Sequence, residues 1–489
     1  MKRVTRNPLS LVLGILLLVL IGCSGAADCG SRDDLSQEDL LECVSGEGAR
    51  QHLDALQDIA DDNGGNRAAG TPGYEASVAY VVETLQAAGY DVELDAFDFR
   101  YEPLQSLRRT APEGERYKTG RVEGSGYGTV AGAVVAVDLA LGEEPWPRDP
   151  REATSACEEA DFAGLDFSGE NDIALVEGGA CLSSVKGVNA QTAGAEAMII
   201  LIKDGIFIEE HLTVDRISLL PDASASNVTI PVVATSIANG VALAQPGSEA
   251  FLEVPEAQRL VQHNVLAELP GSADGQVVMA GAHLDSFLAG PGISDNGSGS
   301  AALLETAVQM AGMQPRNSVR FAWWAAEEAG VVGSTAYVDS LTEAELGEIA
   351  LYLNFDMIAS PNPATFFYVG ENSERAGVGE SPMGSAAIEK VFESYYASLN
   401  LPFEGTDMGR GSDFLPFKEA GVPVGALFTG AEEIMTKAQA ALFGGQAGEP
   451  YDHCYHLPCD TIDTIDMEIL DANTDAIAYA VYHYAMQEE

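Results

Sequence analysis

The sequence predicts an α/β chain: a mixed, mostly parallel sheet sandwiched between helices (α/β/α), with a β-rich module inserted ahead of its larger half. Three observations predict it. After residue 257 apolar strands alternate with amphipathic helices, the rhythm of a parallel sheet covered on both faces. From about 118 to 256 that rhythm gives way to short β-rich runs around a single helix. The residues best suited to chemistry fall where strands pass into loops, which is where open parallel sheets keep their ligands.

Residues 1–23 read as a sorting leader and stand outside the fold. Lys2, Arg3 and Arg6 precede an apolar run, Leu9 to Ile21, that is too short to span a bilayer comfortably. Leu20-Ile21-Gly22-Cys23 resembles a bacterial lipobox, so Cys23 is expected to carry lipid and hold an exported chain at a membrane, in the periplasm or at the cell surface. Residues 24–44 are small, polar and acidic, and read as a tether. In 45–117, His52, Leu53, Leu56, Ile59 and Ala60 share one helical face, ending at Asn63-Gly64-Gly65. A second helix runs from Tyr74 to Ala88, with Val78, Val81, Val82 and Leu85 inward, and 91–100 alternates as a strand.

The insert, 118–256, offers strands at 129–139, 173–177, 197–202 and 230–235 and a helix at 185–193. In 257–489 the spacing predicts strands at 277–282, 318–325, 351–356 and 424–428, with helices at 298–312, 385–399 and 467–486. The Trp323-Trp324 pair reads as core.

Composition narrows the function. The formal charge is −50; without Lys2, Arg3 and Arg6 it is −53, from 22 basic against 75 acidic residues. Such a surface repels phosphate backbones and excludes nucleic-acid binding. Apart from Cys23, six cysteines fall into close sequence neighbours. The natural pairing is Cys29–Cys43, Cys157–Cys181 and Cys454–Cys459, each closing a short loop in an oxidising compartment. A zinc–cysteine site is disfavoured, since no CxxC pair occurs.

The chemistry lies in His283, Asp295, Glu328, Asp356 and His456, with Glu327 beside Glu328. Two imidazoles and three carboxylates are a donor set for two zinc ions, which bind such atoms at about 2.0–2.2 Å and leave a position open for water. Ions about 3.5–4 Å apart need one bridging carboxylate. Asp295 suits that role: it is short, and it lies in the Gly-rich turn Gly292–Gly299. His283 with Asp356 and His456 with Glu328 would complete the two sites. Consecutive glutamates at a strand end point apart, so one can ligate while the other moves protons as a general base. Chemistry alone leaves open which does which. Asp285, two residues after His283, is placed to orient that imidazole.

These segments resemble the M28 family of co-catalytic zinc peptidases, and most nearly the secreted aminopeptidases of the Streptomyces type. The resemblance rests on Asn63-Gly64-Gly65-Asn66-Arg67 with Gly73-Tyr74, His283-Leu284-Asp285-Ser286, Ser294-Asp295-Asn296-Gly297, Glu327-Glu328, Asn354-Phe355-Asp356-Met357, Gly421-Val422-Pro423-Val424-Gly425, Phe428-Thr429-Gly430, Cys454-Tyr455-His456 and Cys459-Asp460-Thr461. It implies a zinc-exopeptidase-like fold. It also implies His283, Asp295 (bridging), Glu328, Asp356 and His456 as metal ligands, Glu327 as general base and Tyr455 as donor to the substrate carbonyl. Glu327 and Asp356 would grip the free α-amine. Cys157-Glu158-Glu159-Ala160-Asp161-Phe162, Ile173-Ala174-Leu175-Val176 and Asn189-Ala190-Gln191-Thr192-Ala193-Gly194-Ala195 make the insert resemble a protease-associated (PA) domain, a lid or substrate guide in such enzymes. Asp471 and Asp475 match positions that hold calcium in some relatives, although no partner ligand is evident around Val44 and Ser45.

The resemblance therefore implies a dizinc aminopeptidase acting on peptides, with apolar N-terminal residues preferred; a monomer is the expected state. A carboxypeptidase or dipeptidase on the same scaffold is the alternative. Arg410, in Met408-Gly409-Arg410-Gly411-Ser412-Asp413, suits substrate binding in either. A glutaminyl-cyclase-like enzyme would need one zinc rather than five ligands. An inactive peptide-binding protein anchored at the surface would be free to lose Glu327.

Overall fold

Side chains along the central strands alternate between two cores, and this alternation sets the layers. Val278, Ala280 and Ala282 face one cluster together with Val319, Phe321, Trp323, Leu351, Leu353 and Phe355. Met279, Ala322, Trp324 and Tyr352 face the other. The first core is closed by helices Gly46–Asp62, Pro72–Ala88, Ser298–Met310, Ser385–Leu399 and Met467–Met486. Helices Val332–Ser340 and Phe414–Glu419 cover the second, through Tyr337, Phe414 and Phe417. The two tryptophans are fully buried on opposite faces, as core residues.

The structure, a computed structural model, describes residues 34–120, 122–141, 153–202, 227–272, 275–368, 381–406 and 411–488, with short strands at 207–208, 211–212 and 217–218. Cys23, Cys29, Arg410 and the first part of the expected tether lie outside them. Among the described residues no helix is long and apolar enough to cross a membrane.

The main sheet has eight strands in the order Val92–Tyr101, Gln258–Leu269, Ser318–Trp324, Val277–His283, Ile349–Phe355, Val424–Phe428, Phe366–Tyr368 and Glu404–Thr406. The middle four, from Ser318–Trp324 to Val424–Phe428, pair in parallel. Gln258–Leu269 runs antiparallel to Ser318–Trp324, and Phe366–Tyr368 antiparallel to Val424–Phe428. All four parallel strands present their carboxyl ends to one edge.

The insert hangs from a two-stranded ribbon. Val92–Tyr101 pairs along its whole length with Gln258–Leu269, from Val92↔Ala267 to Tyr101↔Gln258. The chain leaves the main sheet after Tyr101 and returns at Gln258. Between them, a second sheet of seven strands carries its own cores on both faces. This sheet begins at Ser106–Ala111 and Glu115–Tyr117, ahead of the expected boundary at 118. Their charged residues, Arg108 and Arg109 among them, hide the alternation that buries Leu107 and Tyr117.

The tether also needs correction. Gln37–Cys43 is a helix, capped by a reciprocal pair in which Ser36 Oγ accepts from Asp39 N at 3.1 Å and Ser36 N donates to Asp39 Oδ2 at 3.2 Å. Leu35, Leu40, Cys43 and Val44 are buried in the main core. Acidic residues on the outer face masked a short amphipathic pattern. Cys157–Cys181 and Cys454–Cys459 are bonded as expected. Cys43 is also disulfide-bonded.

Because Leu40 is fully buried in the main core, Leu40→Ala should cost about 2–5 kcal/mol by leaving a cavity. Urea unfolding of the soluble chain measures it, and a tether would show no loss.

Candidate active site

Each predicted donor leaves the carboxyl edge of the main sheet. His283 ends its strand, Glu327 and Glu328 follow Trp324 after Ala325-Ala326, and Asp356 follows Phe355. Asp295 lies in the turn Ile293–Gly297 that opens helix Ser298–Met310. His456 lies within the loop closed by Cys454–Cys459. Glycine is required in the Asp295 turn. Gly292 adopts a φ of +64°, and a Cβ there would sit 2.4 Å from the Asp295 carbonyl oxygen.

The donors form two triads that share one residue. His283 Nε2 lies 3.3 Å from Asp295 Oδ1 and 3.2 Å from Asp356 Oδ1. His456 Nε2 lies 3.1 Å from Asp295 Oδ2 and 3.0 Å from Glu328 Oε2. Each triad has its ligand atoms within 4.8 Å of one another, close enough to hold a metal ion. Glu328 Oε1 and Asp356 Oδ1 are buried without a hydrogen-bond partner. Orphaned anionic oxygens beside imidazole nitrogens are what a zinc site requires, so the residues present fit the metal. Glu327 belongs to neither triad.

Burial and mutual repulsion shift the titration of the acidic side chains. Burial pushes the Glu327 carboxyl well above the ordinary range, with Asp413, Asp356 and Glu328 adding to the effect and His283 opposing it. Burial likewise raises Glu328 and Asp413 to about 7. Burial opposes charge on His283 and His456, yet the surrounding carboxylates together outweigh it, Asp356, Asp285 and Asp295 at His283 and Glu328 and Asp295 at His456, and raise both imidazoles well above 6.5. Asp295 is held low by the two imidazoles despite its burial.

Backbone contacts hold these like charges together. Asp285 Oδ1 accepts from Glu327 N at 3.1 Å and Oδ2 from Glu328 N at 3.3 Å. Its carboxylate also lies 3.6 Å from His283 Nδ1, which is 3.0 Å from the Asp285 carbonyl oxygen. Asp285 thus aligns both glutamates as well as the imidazole. Ser412 Oγ donates to Asp356 Oδ2 at 2.7 Å and accepts from Asn354 Nδ2 at 2.9 Å. Arg67, fully buried, donates from Nε to Pro291 O at 3.0 Å, from Nη2 to Gly292 O at 2.6 Å and from Nη1 to Leu284 O. Burial lowers its pKa to about 10, opposed by Asp285, Asp460 and Asp295, so it stays a cation beneath the site. Asn296 Nδ2 donates to Phe355 O at 2.8 Å, tying the Asp295 turn to the Asp356 strand.

Tyr455 stacks on His456 with ring centroids 3.8 Å apart, and Phe287 stacks on the same imidazole at 4.3 Å. Burial, then Asp295 and Glu328, raises the Tyr455 phenol well above 10, so it remains a hydrogen-bond donor. Asp471 and Asp475 lie apart on the C-terminal helix. Asp471 Oδ1 accepts from Gly46 N at 2.6 Å, and no third donor joins them among the described residues. Sequence reasoning gave no role to Arg67, Asn296, Ser412 or Asp460. Their signal was weak: small or charged residues in the loops that flank the donors.

Comparison with known proteins agrees with this architecture. The family described as Peptidase family M28 matches residues 264–481, and the PA domain matches 130–243. An aminopeptidase of Pseudomonas aeruginosa is 43% identical over 457 residues, covering 90% of this chain and 81% of that protein. A probable lipoprotein aminopeptidase of Mycobacterium tuberculosis is 40% identical over 448 residues, covering 90% and 85%. Among solved structures, a zinc aminopeptidase from Bacillus subtilis superposes with a TM-score of 0.61 at 22% identity, covering 91% of this chain and 96% of that one, a likeness of fold.

These titration shifts predict how pH and metal interact. Glu328 and Asp413, raised on folding from 4.5 and 3.8 to about 7, stabilise the metal-free chain at low pH and lose that contribution as pH climbs through this window. His283 and His456, raised above 6.5, extend the loss upward. Zinc needs Glu328, His283 and His456 deprotonated, so its stabilisation grows with pH. Scanning calorimetry should therefore show the Tm gap between zinc-loaded and metal-free protein widening from about pH 5 to about pH 8. A constant gap contradicts it.

Proposed function

The chain belongs to peptidase family M28, and from that membership we propose that it is an aminopeptidase that holds two zinc ions and removes N-terminal residues, preferentially apolar ones, from peptides. One observation carries the two-ion reading: the two oxygens of Asp295 each face a different imidazole, with a further carboxylate beside each. His283, Asp295 and Asp356 would hold one ion; Asp295, Glu328 and His456 the other. Bound zinc would supply Lewis acidity that acidifies water and polarises a carbonyl.

The remaining steps belong to the protein. Glu327 takes a proton from the attacking water and returns it to the departing amine, the role open to a carboxylate that adjoins Glu328 and belongs to neither triad. The Tyr455 phenol donates to the substrate carbonyl oxygen as negative charge develops there. Glu327 and Asp356 receive the free α-amine, which makes an unblocked N-terminus a requirement. The apolar preference rests on the family resemblance. Lipid attachment at Cys23 is supported by the leader and by the lipoprotein relative. The disulfides favour an oxidising compartment.

Aminoacyl and N-blocked chromogenic peptides test the reading on the purified soluble chain. Cleavage of free N-termini alone is expected, abolished by chelator and restored by zinc. Equal cleavage of blocked peptides would point to a different exopeptidase or an endopeptidase. Glu327→Gln should lower kcat by about 10²–10⁴-fold with zinc content retained. Undiminished turnover would remove Glu327 from the mechanism.

A further inference from the structure

The loop that carries His456 is tied to the turn that carries Asp295 through one buried carboxylate. Asp460 is 2% exposed. Its Oδ1 accepts from Ser294 N at 2.6 Å and its Oδ2 from Asp295 N at 3.1 Å, while its own carbonyl accepts from Ile293 N at 3.4 Å. Three consecutive amides of the Asp295 turn therefore converge on one residue. On its other side, Asp460 follows Cys459, whose bond to Cys454 closes the loop holding Tyr455 and His456. Asp452 fixes the near end of that loop by accepting from Cys454 N at 2.8 Å.

The other triad is braced by different residues. Asn296 links the Asp295 turn to the Asp356 strand through Phe355 O at 2.8 Å and Met357 N at 3.2 Å. Ser300 Oγ donates to His283 O at 2.6 Å, which fastens helix Ser298–Met310 to the His283 strand. Neither contact involves Asp460. Asp295 is therefore registered against His283 and Asp356 by contacts separate from Asp460.

We propose that Asp460 is a positioning residue for one of the two metal sites: it sets the separation of Asp295 from His456, and so governs the affinity of the His456–Glu328 site while leaving the His283–Asp356 site unchanged. This rests on the two-ion reading above. An asparagine at 460 would offer one acceptor and turn an N–H₂ group toward a backbone N–H. A glutamate would keep the charge but shift it by a methylene.

The test is a zinc titration of metal-free wild-type, Asp460→Asn and Asp460→Glu proteins against a chromogenic chelator, with zinc per chain counted by mass spectrometry and folding followed by circular dichroism. Wild type should take up two ions. Both variants should keep the wild-type spectrum and the first ion's affinity, and bind the second about 10–100-fold more weakly. The proposal is overturned if the second ion binds Asp460→Asn as tightly as wild type, or if both ions weaken alike. Loss of fold in both variants would also overturn it, making Asp460 a residue of the fold alone. A wild-type protein that takes up a single ion would instead refute the two-ion reading, whatever the variants do.

Discussion

A single carboxylate shared between two imidazoles is the constraint on which the site depends. Asp295 turns one oxygen to each histidine, at 3.3 and 3.1 Å, so the two donor triads can form only if the segments carrying all five donors arrive in register. Around it lie Asp285, Asp413 and Asp460, which are buried, and Asp356, Glu327 and Glu328, which are partly buried, against two imidazoles and Arg67. Carboxylates at such spacing repel in a low-dielectric interior and gain nothing from one another until a cation is present. Side chains therefore cannot assemble this site by mutual attraction. Backbone bonds do it instead: Asp285 grips two consecutive amides, Asp460 grips two more, and Arg67 grips three carbonyls. The acidic side chains that cost most to bury are the same ones that organise the loops.

The insert is accommodated without disturbing that edge. Its two connections run as a paired ribbon on the outermost part of the main sheet, two strands removed from the strand that ends in His283. Tyr101 and Gln258 face each other where the ribbon ends, so both chain crossings occur at one point. The insert's own cores, around Ile200 and Val176 on one face and Leu175 and Ile199 on the other, owe nothing to the main sheet. Insertion at a strand pair of this kind adds a module and leaves the parallel strands and their donor loops in place.

What the sequence made legible follows from how strongly each feature is patterned. The strand Val277–His283 and helix Met467–Met486 carry long uninterrupted apolar periodicity, and both lie where spacing puts them. The five donors were legible because imidazoles and carboxylates recur at successive strand ends. The helix Gln37–Cys43 was not, because two buried positions among acidic neighbours are too few to set a period. Ser106–Ala111 was obscured by Arg108 and Arg109, whose charges fall on a strand that is buried only at alternate positions. Arg67 and Asp460 were illegible as organisers because their partners are backbone atoms, which leave no mark on composition.

The division between Glu327 and Glu328 shows how far local preference yields to the site. They are neighbours, yet only Glu328 reaches His456, at 3.0 Å, and only it belongs to a triad. Ala326, immediately before them, has a φ of +57°, a region that costs a residue with a β-carbon about 1–2 kcal/mol. Met357, just after Asp356, and His456 itself share this left-handed geometry, with φ of +50° and +59°. Strain of this kind persists only where the surroundings over-determine it. Here they do: the Ala326 carbonyl accepts from Val332 N, Met357 bonds Asn296 through its amide and Thr429 through its carbonyl, and the turn around His456 closes from Leu457 N to Cys454 O. Alanine and methionine are not residues that turn chemistry selects for left-handed backbone, whereas histidine enters it more readily. They adopt it because the bonded loops on either side fix the directions in which Glu327, Asp356 and His456 must point.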